Sequence, residues 1–284
     1  MRACLGPLPP RRPAVPLPAG TVDTHCHVIG PQSLYPFAEG RTYTPPDSTV
    51  EAYRQLRETL GIARSVIVQP GAHGFDNQVT LDAVAALGDC ARGVVVVPAD
   101  ISDSELERMH ENGIRGLRLS SLLRGDAGLD GLPRMAERIA PMGWHILIHL
   151  KDAAELVELA PLVRASAVPV VADHMARSTG AAGPDAPAFR TLIELMTSCD
   201  HVWTKICSWY RLSASTDHAD MQVLADQVLA ARPDRVLWGT NWPHPLLFDP
   251  PMPDDATLAE QFMGWAGAHA EAVLVDNPVR LYGF

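Results

Sequence analysis

Two histidines one residue apart, His25 and His27 in Thr21-Val-Asp-Thr-His-Cys-His-Val28, have a spacing suited to chemistry. Val22 and Val28 mark the stretch as an apolar strand, on which residues i and i+2 share a face. Both imidazoles then point one way and Cys26 the other. Such a pair, held rigidly, can bind a metal or polarise a carbonyl; alone it is also an ordinary pair of strand histidines. His149, His174 and His244 fall at or just after the ends of other apolar runs, and Arg118, Arg124 and Arg211 lie in or close behind two more. Imidazoles can donate hydrogen bonds to a developing oxyanion. A guanidinium grips a carboxylate through two parallel hydrogen bonds. Hydrolysis would also need a base to activate water.

What must position these residues is a series of short β-branched runs alternating with helical patterns. After the His-x-His strand, strands are expected at residues 65–69, 93–97, 114–119, 145–149, 168–174, 201–206 and 235–239. Helices are expected at 80–88, 102–112 with Ser102 as N-cap, 130–142, 153–166, 188–198, 217–232 and 258–270. Continuous apolar strands separated by helices signal a parallel sheet covered by helices. Eight strands in a chain of 284 residues predict an α/β fold, a closed (β/α)8 TIM barrel, which typically takes about 250 residues. We read a proline-rich, mobile tail over residues 1–18 and one barrel domain over 19–284.

In such barrels chemistry sits at the C-terminal ends of the strands. Strand one offers His25 and His27, strand five His149, strand six His174, and strand eight runs into Thr240-Asn-Trp-Pro-His244. Four histidine-bearing strand ends on one mouth point to a shared site. Asp173 alternates away from His174, which assigns it to an ion pair or cap outside the barrel. Arg118 belongs inside the barrel, and Arg115 alternates onto the helix side. Three arginines around one mouth would suit a polycarboxylate. A carboxylate is expected after the eighth strand as the base, but Asn241 stands there, and an amide takes no proton at neutral pH.

Composition narrows the partners. Hydrophobic residues are 47% and charged residues 20% of the chain, as in an ordinary globular protein. With net charge −10 and no basic block interleaved with aromatics, nucleic acid is excluded as a partner. An acidic chain binds an anion only through local arginines, against its own field. Five cysteines, an odd number without Cys-x-x-Cys, argue against a disulfide framework or thiolate zinc site and for a reducing cytoplasm. No run approaches the roughly 18 apolar residues of a membrane span, and the charged, proline-broken N-terminus is no signal peptide. A monomer or a homo-oligomer is expected.

Several motifs in order resemble one family. Val22-Asp-Thr-His-Cys-His27, Val171-Ala-Asp-His-Met175, Val236-Leu-Trp-Gly-Thr-Asn-Trp-Pro-His-Pro245 and Asp276-Asn-Pro-Val-Arg-Leu-Tyr282 are similar to the amidohydrolase superfamily. Arg41-Thr-Tyr-Thr-Pro45, Ala72-His-Gly-Phe-Asp-Asn77 and Arg118-Leu-Ser-Ser-Leu-Leu-Arg124 resemble its branch of 2-pyrone-4,6-dicarboxylate lactonase and D-galactarolactone isomerase. The resemblance implies a lactone-opening enzyme with no metal and no cofactor, acting on a small carboxylated lactone. His25, His27 and His174 would polarise the carbonyl. Arg118, Arg124, Arg211 and Tyr43 would grip the acid groups, and His244 would support the base at 241. The chain departs from the lactonase at Asn241 and at His149, where the lactonase has a tyrosine. Hydrolysis would then need another base, with His244 and His149 as candidates. Asn241 matches the isomerase, in which a substrate hydroxyl attacks and the lactone is moved rather than opened. A third reading is a zinc-dependent amidohydrolase or decarboxylase using His25, His27, His149 and His174. Zinc would bind weakly without an anionic ligand at 241 and beside Arg118.

Overall fold

Strands this apolar must be covered on both faces, and the chain covers them by closing a cylinder and wrapping it in helices. The computed structural model describes residues 2–122 and 127–284. Strands β1 (Val22–Cys26), β2 (Arg64–Val68), β3 (Ala91–Val95), β4 (Ile114–Ser120), β5 (His145–His149), β6 (Val170–Ala172), β7 (Val202–Ile206) and β8 (Val236–Trp238) form one parallel sheet in chain order. This is the expected (β/α)8 barrel. Helices α1 (Val50–Leu60), α2 (Gln78–Leu87), α3 (Asp103–Glu111), α4 (Leu132–Ile139), α5 (Glu155–Arg164), α6 (Pro187–Ser198), α7 (Ala219–Ala231) and α8 (Asp255–Ala266) follow the strands in turn. A short α9 (Asn277–Tyr282) ends the chain.

Side chains on the strands separate into two layers. Val22, Val66, Val68, Val94, Leu147, Val171, Trp203 and Leu237 fill the inside of the cylinder, with Tyr282 packed among them. Cys26, Ile67, Val95, Leu117, Ile146, Val170 and Ile206 face the helices. Two residues on from Val171 is Asp173, and two on from Trp203 is Lys205. The inner layer therefore changes from apolar to charged toward the mouth.

The seam between β8 and β1 is tied by the residues that carry the site. Thr24 Oγ1 donates to the Trp238 carbonyl at 2.7 Å, and Asn241 N to the His25 carbonyl at 2.7 Å. The buried Asp23 carboxylate accepts from Thr240 N at 3.0 Å and Thr240 Oγ1 at 2.7 Å. Gly239 permits this approach, since a Cβ there would come within 2.5 Å of His25 Cβ.

The helix α1 went unassigned in the sequence. Thr49 caps it by accepting from Ala52 N, Tyr53, Leu56 and Leu60 are its buried face, and Gly61 ends it in the left-handed region at φ 81°. Tyr53 Oη donates to Asp23 Oδ2 at 3.0 Å and lies 2.8 Å from Ser65 Oγ. Tyr53→Phe is expected to cost about 1.5–3 kcal/mol, the range for a hydrogen bond to a buried charge. The urea midpoint would fall with an unchanged slope; an unshifted midpoint would remove Tyr53 from the seam.

The N-terminal segment lies against the mouth. Cys4 N donates to the Thr44 carbonyl and Leu5 N to the Leu247 carbonyl, both at 2.8 Å. Further along, Ala14 N donates to Glu260 Oε1 at 2.6 Å. No helix among the described residues is long and apolar enough to cross a membrane.

Candidate active site

At the C-terminal ends of the strands is a cavity of about 620 Å3. Of the residues singled out in the sequence, His27, Tyr43, Arg118, His149, His174, Arg211 and Asn241 line it. His25 and His244 are fully buried behind its wall. Arg124 lies outside the described residues. Arg41, not singled out as a site residue, also lines the cavity.

The imidazoles form one contiguous group. The His25 ring is 4.9 Å from those of His27 and His174, and His149 is 6.0 Å from His174. His27 Nδ1 is 2.8 Å from the Val68 carbonyl oxygen, and His149 Nδ1 is 3.1 Å from Ser120 Oγ. Burial, before any charge, pushes His27 and His174 down to about 3, with Arg118 and Arg211 adding to the shift. Burial likewise holds His25 and His149 well below the ordinary histidine value. All four rings are neutral at pH 7.

Asp173 corrects the expectation that it lies outside the barrel. Its carboxylate is 1% exposed at the centre of the site. Oδ2 accepts from Arg118 Nη2 at 3.1 Å, and Oδ1 is 3.1 Å from His25 Nδ1. The alternation was counted from His174, but β6 ends at Ala172, so strand parity puts Asp173 inward with Val171. His174 then enters by a different route, through a tight turn over Asp173–Arg177 in which it takes φ 51°. Burial opposes ionisation of Asp173, but contact with His25 and the charge of Arg118 favour it, and its carboxyl lies well below the usual range. Lys205, also missed, donates through Nζ to the Thr24 carbonyl at 2.7 Å and lies 3.5 Å from His25 Nδ1. A lone charge inside an apolar strand was its signal.

Behind Asn241 runs a chain of polar side chains. Asn241 Nδ2 donates to Tyr210 Oη at 2.8 Å and to Ser208 Oγ at 3.3 Å. Tyr210 Oη is 2.8 Å from His244 Nδ1, and His244 Nε2 is 3.3 Å from Asp255 Oδ1. Neither His244 Nε2 nor Asp255 Oδ1 has a hydrogen-bond partner among the described residues, so this proximity does not fix the His244 tautomer. The Tyr210 and Ser208 contacts place Asn241 Nδ2 at the back and Oδ1 toward the cavity. Tyr210 and Asp255 were not foreseen, because their roles depend on partners far away in the chain.

The family model described as amidohydrolase matches residues 22–284. This chain belongs to the amidohydrolase family. A Comamonas testosteroni 2-pyrone-4,6-dicarboxylate hydrolase is 42% identical to it over 96% of this chain and 93% of its own length. A Rhizobium radiobacter 4-sulfomuconolactone hydrolase is 38% identical over 99% and 96%. The solved apo structure of an Agrobacterium tumefaciens protein matches with TM-score 0.86 at 32% identity, covering 96% of this chain and 98% of that one.

Whether this amidohydrolase could hold a divalent ion depends on its donor set. His25, Asp173 and His174 bring potential ligand atoms within 4.8 Å of one another. Asp173 Oδ2 is engaged by Arg118 while Oδ1 has no hydrogen-bond partner among the described residues, and the Arg118 guanidinium and Lys205 ammonium stand beside the group. Two permanent cations supply the positive charge that an ion would bring, and residue 241 is an uncharged amide. The cations oppose a resident divalent ion, while His25 Nε2, Asp173 Oδ1 and His174 Nδ1, unpartnered among the described residues, are atoms that could ligate one.

The buried histidines also govern acid stability. His27, His174 and His145, the last at the start of β5, are each lowered from 6.5 to about 3. Between those values the unfolded chain binds protons that the folded chain cannot. Their contribution is complete above about pH 6.5 and is lost on acidification, at about 1.4 kcal/mol per pH unit for each histidine. Urea midpoints should be level above about pH 7 and fall steeply below about pH 6. His145→Gln, away from the cavity, should make that slope shallower by one proton.

Proposed function

We propose that this amidohydrolase opens a small lactone bearing two acid groups by metal-independent hydrolysis. The carrying observation is the charge of the cavity wall. Arg41, Arg118 and Arg211 line it, and no Asp or Glu does among the described residues. Arg118 is balanced by Asp173 behind the wall. Among the described residues, Arg41 bonds only to Thr44 Oγ1 and the Ala38 carbonyl, and Arg211 only to Ser208 Oγ and the Pro245 carbonyl, with no acidic partner for either. Two guanidinium charges thus lack an acidic partner in a chain of net charge −10. A dianion supplies what they lack. The relatives named for 2-pyrone-4,6-dicarboxylate and 4-sulfomuconolactone support the same class. Arg118, Arg211 and Tyr43, with Arg124 by resemblance, hold the acid groups beside the imidazoles, and the cytoplasm is the compartment its cysteines favour.

The test is a panel of lactones with two, one and no acid groups, run with and without chelator. Turnover of the dianionic members, unchanged by chelator, is expected; loss of activity with chelator and its return with zinc would overturn the metal-independent reading. Asn241 favours a second reading, isomerisation of a sugar-acid lactone. NMR would then show a change of ring size without free acid.

A further inference from the structure

We infer that His27 Nε2 is the base that deprotonates the attacking water, while Asn241 Oδ1 accepts that water's second hydrogen. The inference rests on the lactone-hydrolysis reading above. His27 Nδ1 lies 2.8 Å from the Val68 carbonyl oxygen. A carbonyl only accepts, so Nδ1 carries the hydrogen, and in a neutral ring Nε2 carries a lone pair. That nitrogen cannot donate to a lactone carbonyl. The ring lines the cavity, with Nδ1 turned to β2 and Nε2 on the opposite side.

Asn241 presents the same polarity, since its Nδ2 is committed to Tyr210 and Ser208. The two residues are neighbours across the barrel seam, where His27 N donates to the Trp242 carbonyl at 2.8 Å and Asn241 N to the His25 carbonyl at 2.7 Å. This part of the wall therefore offers two acceptors. It suits a molecule with two hydrogens to give, which is water, and repels a carbonyl oxygen. The carbonyl oxygen turns instead to His174. Its Nε2 is 3.6 Å from Asp173 Oδ2, beyond hydrogen-bond reach, and its Nδ1 has no partner among the described residues. No contact fixes the His174 tautomer, so that ring can donate.

The step balances without a co-reactant. The water oxygen bonds to the lactone carbonyl carbon, one water proton passes to His27 Nε2, and the carbonyl π pair moves to oxygen. Collapse re-forms C=O and breaks the ring C–O bond. The departing oxygen takes the pair and recovers the proton from His27 Nε2. Burial first, and then Arg118 and Arg211, depress the proton affinity of His27 in the empty site. Substrate acid groups neutralise those arginines, so binding raises the proton affinity when the base is needed.

The test joins a spectrum to kinetics. In 15N-histidine NMR of the ligand-free protein, with the His27 signals assigned by their loss in His27→Gln, Nδ1 should be protonated and Nε2 bare at pH 7. His27→Gln should lower kcat on a dianionic lactone by about 10^2–10^4-fold, the usual worth of a general base. Asn241→Asp in that background supplies a carboxylate base and should restore at least about tenfold. A protonated Nε2 overturns the inference, whatever the substrate. So does a double variant no faster than His27→Gln. If the unaltered enzyme turns over no lactone, the lactone reading falls and the base with it, while the tautomer is still read from the spectrum.

Discussion

Arg118→Gln is expected to lower kcat/KM on a dianionic lactone by roughly 10^3-fold, about 4 kcal/mol at 1.36 kcal/mol per tenfold. The residue is 6% exposed on the inner face of β4 and lines the cavity, with Nη2 on Asp173 and Nε buried without a partner among the described residues. A guanidinium there meets a substrate carboxylate with two donors in one plane. Arg118→Lys keeps the charge but loses the fork, and should recover little of the rate. The same change leaves Asp173 buried without its cation. Breaking one side of a buried pair costs about 3–5 kcal/mol of folding stability. Lys205, near His25 on the same inner layer, offsets part of that. Adding Asp173→Asn should therefore restore much of the melting temperature and none of the activity. If Arg118→Gln kept its kcat/KM, the anion-binding reading of the cavity would fail. If the double variant recovered activity along with stability, Arg118 would be structural only.

The legible and illegible parts of this molecule differ for a physical reason. Strand number and parallel topology were readable, because each follows from local periodicity and one rule about barrels. Asp173 was misjudged because two-residue alternation holds only within a strand, and β6 is three residues long. Counting from Val171, inside the apolar core, would have placed the carboxylate correctly. The helix α1 was overlooked although Tyr53, Leu56 and Leu60 repeat at helical spacing behind a Thr49 cap. Lys205, Tyr210 and Asp255 acquire their roles from contacts made 181, 34 and 11 residues away in sequence: Lys205 with Thr24, Tyr210 with His244, and Asp255 with His244. No local pattern announces such partners. Asn241 is legible as a missing base, but its hydrogen bonds to Tyr210 and Ser208, which turn its amide, are not.

That orientation decides what Asn241→Asp should do. In the unaltered chain Asn241 Nδ2 donates to Tyr210 Oη and Ser208 Oγ. A carboxylate has no hydrogen to give at neutral pH and would turn an acceptor onto both Tyr210 and Ser208. The hydroxyls of Tyr210 and Ser208 can rotate to donate to it. The second carboxylate oxygen keeps the place of the amide oxygen, now as a true base. Hydrolysis should rise by at least about tenfold in kcat, toward the 10^2–10^4-fold range of a positioned base. Tyr210→Phe added to Asn241→Asp removes one of the two hydroxyls holding the carboxylate and should give back part of the gain, in kcat more than in KM. The result also separates the two reaction classes. A hydrolase becomes faster at the same product, whereas an isomerase acquires free acid it did not release before. An unchanged rate and unchanged product across neutral pH would mean that residue 241 does not face the reacting carbonyl, and the water site at the barrel seam would have to be abandoned.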